Sequence, residues 1–330
     1  MTPRVDVADL VAKARDGQPR AVARLISLIE DASPRLREVA AALAPFAGRA
    51  QVIGLTGPPG VGKSTSTSAL VAALRRAGKR VGVLAVDPSS PFSGGALLGD
   101  RIRMQEHALD PGVYIRSMAT RGHLGGLAWA TPQALRVLDA AGCDVVLVET
   151  VGVGQSEVEV VSLADTTLVL LAPGMGDGVQ VAKAGILEVA DIFVVNKADR
   201  DGTEQTVRDL KYMISLGRRE VPGPIWRPPI VKTVASRGEG IDDVLAAIAE
   251  HHDWMSTHGE LEQRRQRRAE AEVEAIAVEQ LRERLGDIRD QHRGSALPLL
   301  AKRVAAGKLD PYVAADELVT ALGRNGHETH

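Results

Sequence analysis

The chain has 330 residues, enough for one large domain with accessory segments, and its 45% hydrophobic and 25% charged content is that of a globular protein. A net charge of −2 and 3% aromatic residues supply neither the basic field nor the stacking platform used to bind nucleic acid or an anionic membrane, so no nucleic acid and no membrane partner is expected. The single cysteine, Cys143, excludes an internal disulfide or a cysteine-based zinc cluster; with no basic-plus-apolar leader and no apolar run of spanning length, the expected location is cytoplasmic.

Residues 1–48 read as a helical segment. Leu10, Val11 and Ala14 share one face, Val22, Leu25, Ile26 and Ile29 a second, and Leu36, Val39, Ala42 and Leu43 a third, with Gly48 beyond the last turn. Plain packing explains these residues. From 49 to 250 the pattern alternates strand and helix. Short continuous apolar runs stand at 52–55, 81–86, 113–115, 145–148, 168–171, 192–195 and 230–234. Runs apolar on both faces imply an α/β fold, a mainly parallel sheet covered by helices on both sides, which the motifs below make a P-loop G domain. Ligands of such a sheet bind at the carboxyl ends of its strands. Residues 251–330 form a C-terminal helical arm. Its charge-dense stretch 260–289 places Val273, Ile276, Gln280, Leu281, Leu285 and Ile288 at three- and four-residue spacing. That narrow seam is a candidate homodimer contact, and the charges around it read as a solvated face. Pro298 is expected to end or kink the next segment, before short helices at 301–306 and 313–322.

The chemical motifs fall at strand ends. Gly57, Pro58, Pro59, Gly60, Val61, Gly62, Lys63 and Ser64 match the phosphate-binding loop pattern G-x-x-x-x-G-K-[ST] at every fixed position, followed by Thr65 on a helix-forming stretch. The glycines let successive N–H groups point at phosphate oxygens, at the positive end of the new helix. Lys63 is expected at the β- and γ-phosphates, and the Ser64 hydroxyl on Mg²⁺. Asp87 ends the second apolar run, and Asp100 sits in a glycine-rich loop at 94–101; both are candidate metal-shell acids, with a capping or turn role as the plain alternative. His123 lies in a second glycine-rich stretch, 120–127.

Glu149 ends the 145–148 run, at the position where an acid holds Mg²⁺ directly or through water, and Gly152 follows where a backbone N–H can approach the γ-phosphate. The acid is glutamate where most small GTPases have aspartate. Val153 stands where a Ras-like enzyme has its water-orienting glutamine, and Gln155 is displaced by two positions. Slow hydrolysis by the free protein is therefore expected. A third flexible loop, 174–185, carries Asp177, Gln180 and Lys183, candidate switch or partner-signalling residues that read equally well as surface polar groups. Asn196-Lys197-Ala198-Asp199 then selects the base: an aspartate accepts from guanine N1–H and the exocyclic amine, a donor pair adenine lacks. Lys197 would lay its stem along the base, and Asn196 would brace neighbouring loops. Ala235 and Ser236, after the last run, fit the turn whose backbone N–H meets guanine O6. The ligands read from the residues are GTP or GDP and Mg²⁺, and the catalytic candidates are Lys63, Asp100 and Glu149.

The joint string goes further. GPPGVGKST (57–65), DPSS (87–90), GALLGDRIRM (95–104), TRGHLGGL (120–127), ETVGVGQSE (149–157), the 173–185 loop and NKAD (196–199) occur in order. Together they resemble the methylmalonyl-CoA mutase-associated GTPases, the MeaB/MMAA/ArgK-like family. The resemblance implies a homodimer joined through C-terminal helices. It also implies a chaperone that gates cofactor delivery to, and protects or reactivates, an adenosylcobalamin-dependent methylmalonyl-CoA mutase. Carried over by position, Lys63 and Ser64 would serve phosphate and Mg²⁺, and Asp87, Asp100 and Glu149 the metal or switch shell. Asn196 and Asp199 would read guanine, and the 173–185 loop would signal to the mutase. Two other readings compete. A kinase or ATPase linked to amino-acid transport needs an acceptor-activating base that the sequence does not offer. A metal-delivery GTPase needs a Cys/His cluster, against which stand one cysteine and eight scattered histidines.

Overall fold

The computed structural model describes residues 6–31, 33–87, 105–107, 109–119, 126–150, 162–174, 189–216, 224–291 and 296–325. Two compact units divide the chain, residues 1–269 and 270–330.

In the first unit the seven apolar runs become seven strands: β1 (Gln51–Thr56), β2 (Val81–Asp87), β3 (Val113–Ala119), β4 (Val145–Thr150), β5 (Thr166–Leu171), β6 (Ile192–Asn196) and β7 (Ile230–Thr233). Their order is β3-β2-β4-β1-β5-β6-β7, and every pairing is parallel. The helices are α1 (Val7–Arg15), α2 (Pro19–Glu30), α3 (Leu36–Leu43), α4 (Lys63–Arg76), α5 (Gly126–Ala140), α6 (Thr203–Leu216) and α7 (Ile241–His258).

Alternate side chains of the central strands feed two cores. Val52, Val146 and Val148 face a cluster with Val11, Leu25, Ile29, Ala134 and Leu138 of α1, α2 and α5. Ile53, Leu55 and Leu147 face the other way, onto Leu70, Val71, Val244 and Ile248 of α4 and α7. The N-terminal helices thus complete the same core as the sheet. Local signals start them: Asp6 accepts from the Ala8 and Asp9 N–H groups at the head of α1, and Pro19 opens α2. Beyond β5 and β6, Leu210 of α6 closes a third cluster with Val169 and Phe193.

Helix α8 (Glu260–Gln291) begins in this unit and differs from the sequence expectation. Its first arginines are not a solvated face. They dock on two buried carboxylates at the amino ends of β5 and β6. Asp165, 1% exposed, accepts the Val52 N–H at 3.0 Å and Arg265 at 3.1 Å. Asp191 accepts the Thr167 N–H at 2.8 Å and both Arg264 terminal nitrogens at 2.7 and 2.8 Å. The fully buried His251 brings Nε2 within 3.2 Å of Asp191 and Nδ1 within 3.0 Å of the Thr166 hydroxyl.

The second unit holds the rest of α8, then α9 (Ala296–Ala305) and α10 (Pro311–Asn325), joined by an Arg303–Glu317 pair at 3.1 Å. Pro298 neither ends nor kinks its segment. It lies in the first turn of α9, where the missing N–H has no intrahelical partner to lose. Two residues of the expected seam, Val273 and Leu281, are exposed. Among the described residues no helix is long and apolar enough to cross a membrane.

Burial alone raises the Asp191 carboxyl, but hydrogen bonds from His251 and Arg264 outweigh it and hold the group below the usual carboxylate range. A carboxyl depressed on folding contributes its full stability above the unfolded value of about 3.9, and the contribution is lost as pH falls through the lower folded value. Asp191→Ala is expected to cost about 3–5 kcal/mol at pH 7, because it strands a half-buried guanidinium. Denaturant melts from pH 7 to 2 should show the variant and the parent converging in the acid range.

Candidate functional site

The carboxyl edge of the sheet gathers the described site residues. At the end of β1 the chain turns through Gly57, whose φ of 139° and 2.3 Å approach of an added Cβ to the Leu170 carbonyl oxygen admit no side chain. Gly62 caps α4 at φ 97°, and a Cβ there would stand 2.5 Å from Asn196 Nδ2. The loop is therefore shaped by its neighbours β5 and β6. Lys63 folds back over it: Nζ donates to the Gly57 carbonyl at 2.6 Å and the Pro58 carbonyl at 3.3 Å. Pro59, Gly60 and Thr65 are exposed at this surface.

Glu149, 2% exposed, projects from the end of β4 onto the first turns of α4. Its two oxygens take different hydroxyls, Oε1 from Ser64 at 2.6 Å and Oε2 from Thr67 at 2.8 Å. A carboxylate and a hydroxyl are hard oxygen donors, the set that Mg²⁺ prefers. Asp87 closes β2 one strand away, in register beyond the Val86–Thr150 pair.

The residues expected to read the base form a second group. Asn196 Nδ2 donates to the Val61 carbonyl at 2.8 Å. Its Oδ1 accepts from the Thr233 hydroxyl at 3.1 Å and the Ala235 N–H at 3.0 Å. Lys197, at φ 57°, is the one non-glycine residue with positive φ among those described. That conformation costs roughly 1–2 kcal/mol, and it lets Nζ reach the Gly60 carbonyl at 2.6 Å. Asp199 keeps its carboxylate partly exposed, with Arg237 Nη2 3.3 Å from Oδ2. Ser236 is exposed on the 3-10 turn Ala235–Arg237.

Asp100, His123, Gly152, Gln155, Asp177, Gln180 and Lys183 lie outside the described residues. The chain after Asp100 is anchored to α4: Ser68 donates to Glu106 at 2.5 Å, and Arg75 grips Asp110 through two bonds of 2.9 Å. Sequence reasoning missed Thr67, Thr233 and Arg237. Thr67 was open to detection, since a hydroxyl three residues after Ser64 shares its helix face. Arg237 carried no comparable signal.

A family model described as methylmalonyl Co-A mutase-associated GTPase MeaB matches residues 22–289. A protein of Pyrococcus abyssi named as a GTPase is 46% identical over 316 residues, covering 96% of this chain and 97% of the relative. The mitochondrial methylmalonic aciduria type A homolog of Mus musculus is 36% identical over 327 residues, covering 93% of this chain and 77% of the relative. A crystal structure titled LAO/AO transport system kinase superposes with a TM-score of 0.69 at 27% identity, covering 97% of this chain and 99% of that one.

The contact between Gly62 and Asn196 makes a sharp prediction. Gly62→Ala must leave the left-handed region or displace the Asn196 amide, so guanine nucleotide affinity should fall at least about tenfold, the equivalent of 1.4 kcal/mol. Calorimetric titration with GDP checks it.

Proposed function

The chain belongs to the methylmalonyl-CoA mutase-associated GTPase family, a family of P-loop enzymes that hydrolyse GTP, and from that premise we propose that it is a Mg²⁺-dependent chaperone of an adenosylcobalamin-dependent methylmalonyl-CoA mutase. In this reading it gates cofactor delivery and protects or reactivates the mutase. The observation that carries the nucleotide part is the Asn196 side chain, bonded at once to the phosphate loop through Val61 and to the Ala235 turn. The mutase part is supported by the family description and by the name of the mouse relative.

The proposed roles follow from the contacts. Lys63 exchanges the Gly57 and Pro58 carbonyls for the β- and γ-phosphate oxygens, so its ammonium is hydrogen-bonded before and after binding. The backbone N–H groups of 57–65 cradle the phosphates. Ser64 and Glu149 would hold Mg²⁺, with Asp87 and Asp100 in its wider shell; bound there, the ion neutralises charge on the β- and γ-phosphoryl oxygens. Asp199 accepts from guanine N1–H and N2–H, Lys197 lines the base with its stem, and the Ala235 and Ser236 turn presents N–H groups to O6. Gly152 approaches the γ-phosphate, while Gln155, Asp177, Gln180 and Lys183 signal its loss to the partner. Val153 cannot orient water through a side-chain hydrogen bond, so the free protein turns over slowly. Residues 251–330 serve as the homodimer arm of the 49–250 G domain, with 1–48 as its helical cap.

Asp199→Asn offers an amide where guanine offers donors, and should weaken GDP by about 10²-fold or more while improving binding of xanthosine diphosphate. Competition against a fluorescent GDP analogue measures both. The partner reading is tested by GTP turnover with and without a methylmalonyl-CoA mutase of the same organism. Stimulation of about 10²-fold or more is expected, the lower end of what one positioned catalytic group contributes. Unchanged turnover, with no complex on a sizing column in any nucleotide state, would remove the mutase as client. Transfer of the labelled γ-phosphate to a protein acceptor would favour the kinase reading instead.

A further inference from the structure

Glu149 is one methylene longer than the aspartate usual at its position, and that length decides which groups it meets. Its neighbours in register are Leu55 of β1 and Ala85 of β2, so it emerges on the sheet face covered by α4. There the carboxylate spans two helical positions, one oxygen on Ser64 and the other on Thr67. Ser64 and Thr67 are i and i+3, neighbours on one helix face.

The two hydroxyls are not equivalent. Ser64 directs its proton at Oε1 and leaves lone pairs for a cation, so a bound metal ion also fixes where Ser64 sits. Thr67 is fully buried and lies one turn further along the helix. Its single proton has two acceptors in reach, Glu149 Oε2 at 2.8 Å and the Lys63 carbonyl at 3.0 Å. The ionised oxygen is the stronger acceptor, so the bond to Glu149 dominates. A glutamate has an extra rotatable bond, which costs more entropy to hold still than an aspartate does. The second tether, at a point the metal ion does not control, offsets that freedom.

We propose that Thr67 is a positioning residue that holds the Glu149 carboxylate in place for the Mg²⁺ of the bound nucleotide. The proposal rests on Glu149 being the acid on the Mg²⁺ side. It predicts that a glutamate at 149 and a hydroxyl at 67 act as one unit.

The test is the release rate of a fluorescent GDP analogue from the full-length protein across a Mg²⁺ titration, with thermal melts in EDTA alongside. Thr67→Val should raise the Mg²⁺ concentration for half-maximal slowing about tenfold, as losing an outer-shell partner does at other metal sites. Release in EDTA should stay unchanged, and Thr67→Ser should restore the parent midpoint. In a Glu149→Asp background, where the shorter acid does not span both positions, Thr67→Val should have little further effect. A Thr67→Val midpoint within about twofold of the parent, or an equal change in EDTA, would overturn the proposal, because outer-shell loss costs 10–100-fold and acts only through the metal. If valine does not fold at this buried position, Thr67→Ala gives the same readout. Glu149→Gln separates the two layers. A normal Mg²⁺ midpoint there sinks both the Glu149 reading and Thr67's role, whereas a shifted midpoint beside a silent Thr67 variant sinks only the latter.

Discussion

The Asn196 carboxamide ties three segments into one surface. One side chain donates to the phosphate loop at Val61 and accepts from β7 at Thr233 and from the turn at Ala235. It is 3% exposed, so each of its bonds replaces one that water can no longer supply. Gly62 is bare because this amide occupies the space a Cβ would need. Lys197, the next residue, accepts a left-handed backbone and in return bonds the same loop at Gly60. A loop rich in glycine would sample many shapes on its own; three contacts from one strand end reduce that freedom before any ligand arrives.

The opposite edge of the sheet solves a different problem. There β1 and β5 present buried N–H groups at Val52 and Thr167, which Asp165 and Asp191, just ahead of β5 and β6, accept. Two carboxylates at such depth need counter-charge, which Arg264, Arg265 and Arg268 of α8 bring. One edge of a parallel sheet thus carries the chemistry and the other carries the attachment of the helix that leads into the second unit. β5 and β6 take part in both, since β6 ends in Asn196 and β5 carries, one residue before its end, the Leu170 carbonyl that abuts Gly57.

The strands were legible because each is a continuous apolar run, and the phosphate loop and NKAD because their residue types are dictated by one geometry each. The arginines of α8 were misread because a charge-dense helix looks alike whether its partners are water or buried acids a hundred residues earlier. No spacing rule connects Asp165 to Arg265. Pro298 was misread for a local reason: a proline forbids the helix interior but suits the first turn, and the sequence left the helix start unmarked. Thr67 and Arg237 are further cases in which a tertiary neighbour, Glu149 or Asp199, gives an ordinary residue its role.

Three charged groups described in the candidate site share one property: each already has a partner. Lys63 rests on carbonyls of its own loop, Glu149 on two hydroxyls, and Asp199 beside an exposed guanidinium. Among the described residues, Lys63 and Glu149 are buried with hydrogen-bond partners in place, so binding there would exchange one set of bonds for a charge-assisted set. Groups already held in place in this way need less reordering when a ligand arrives.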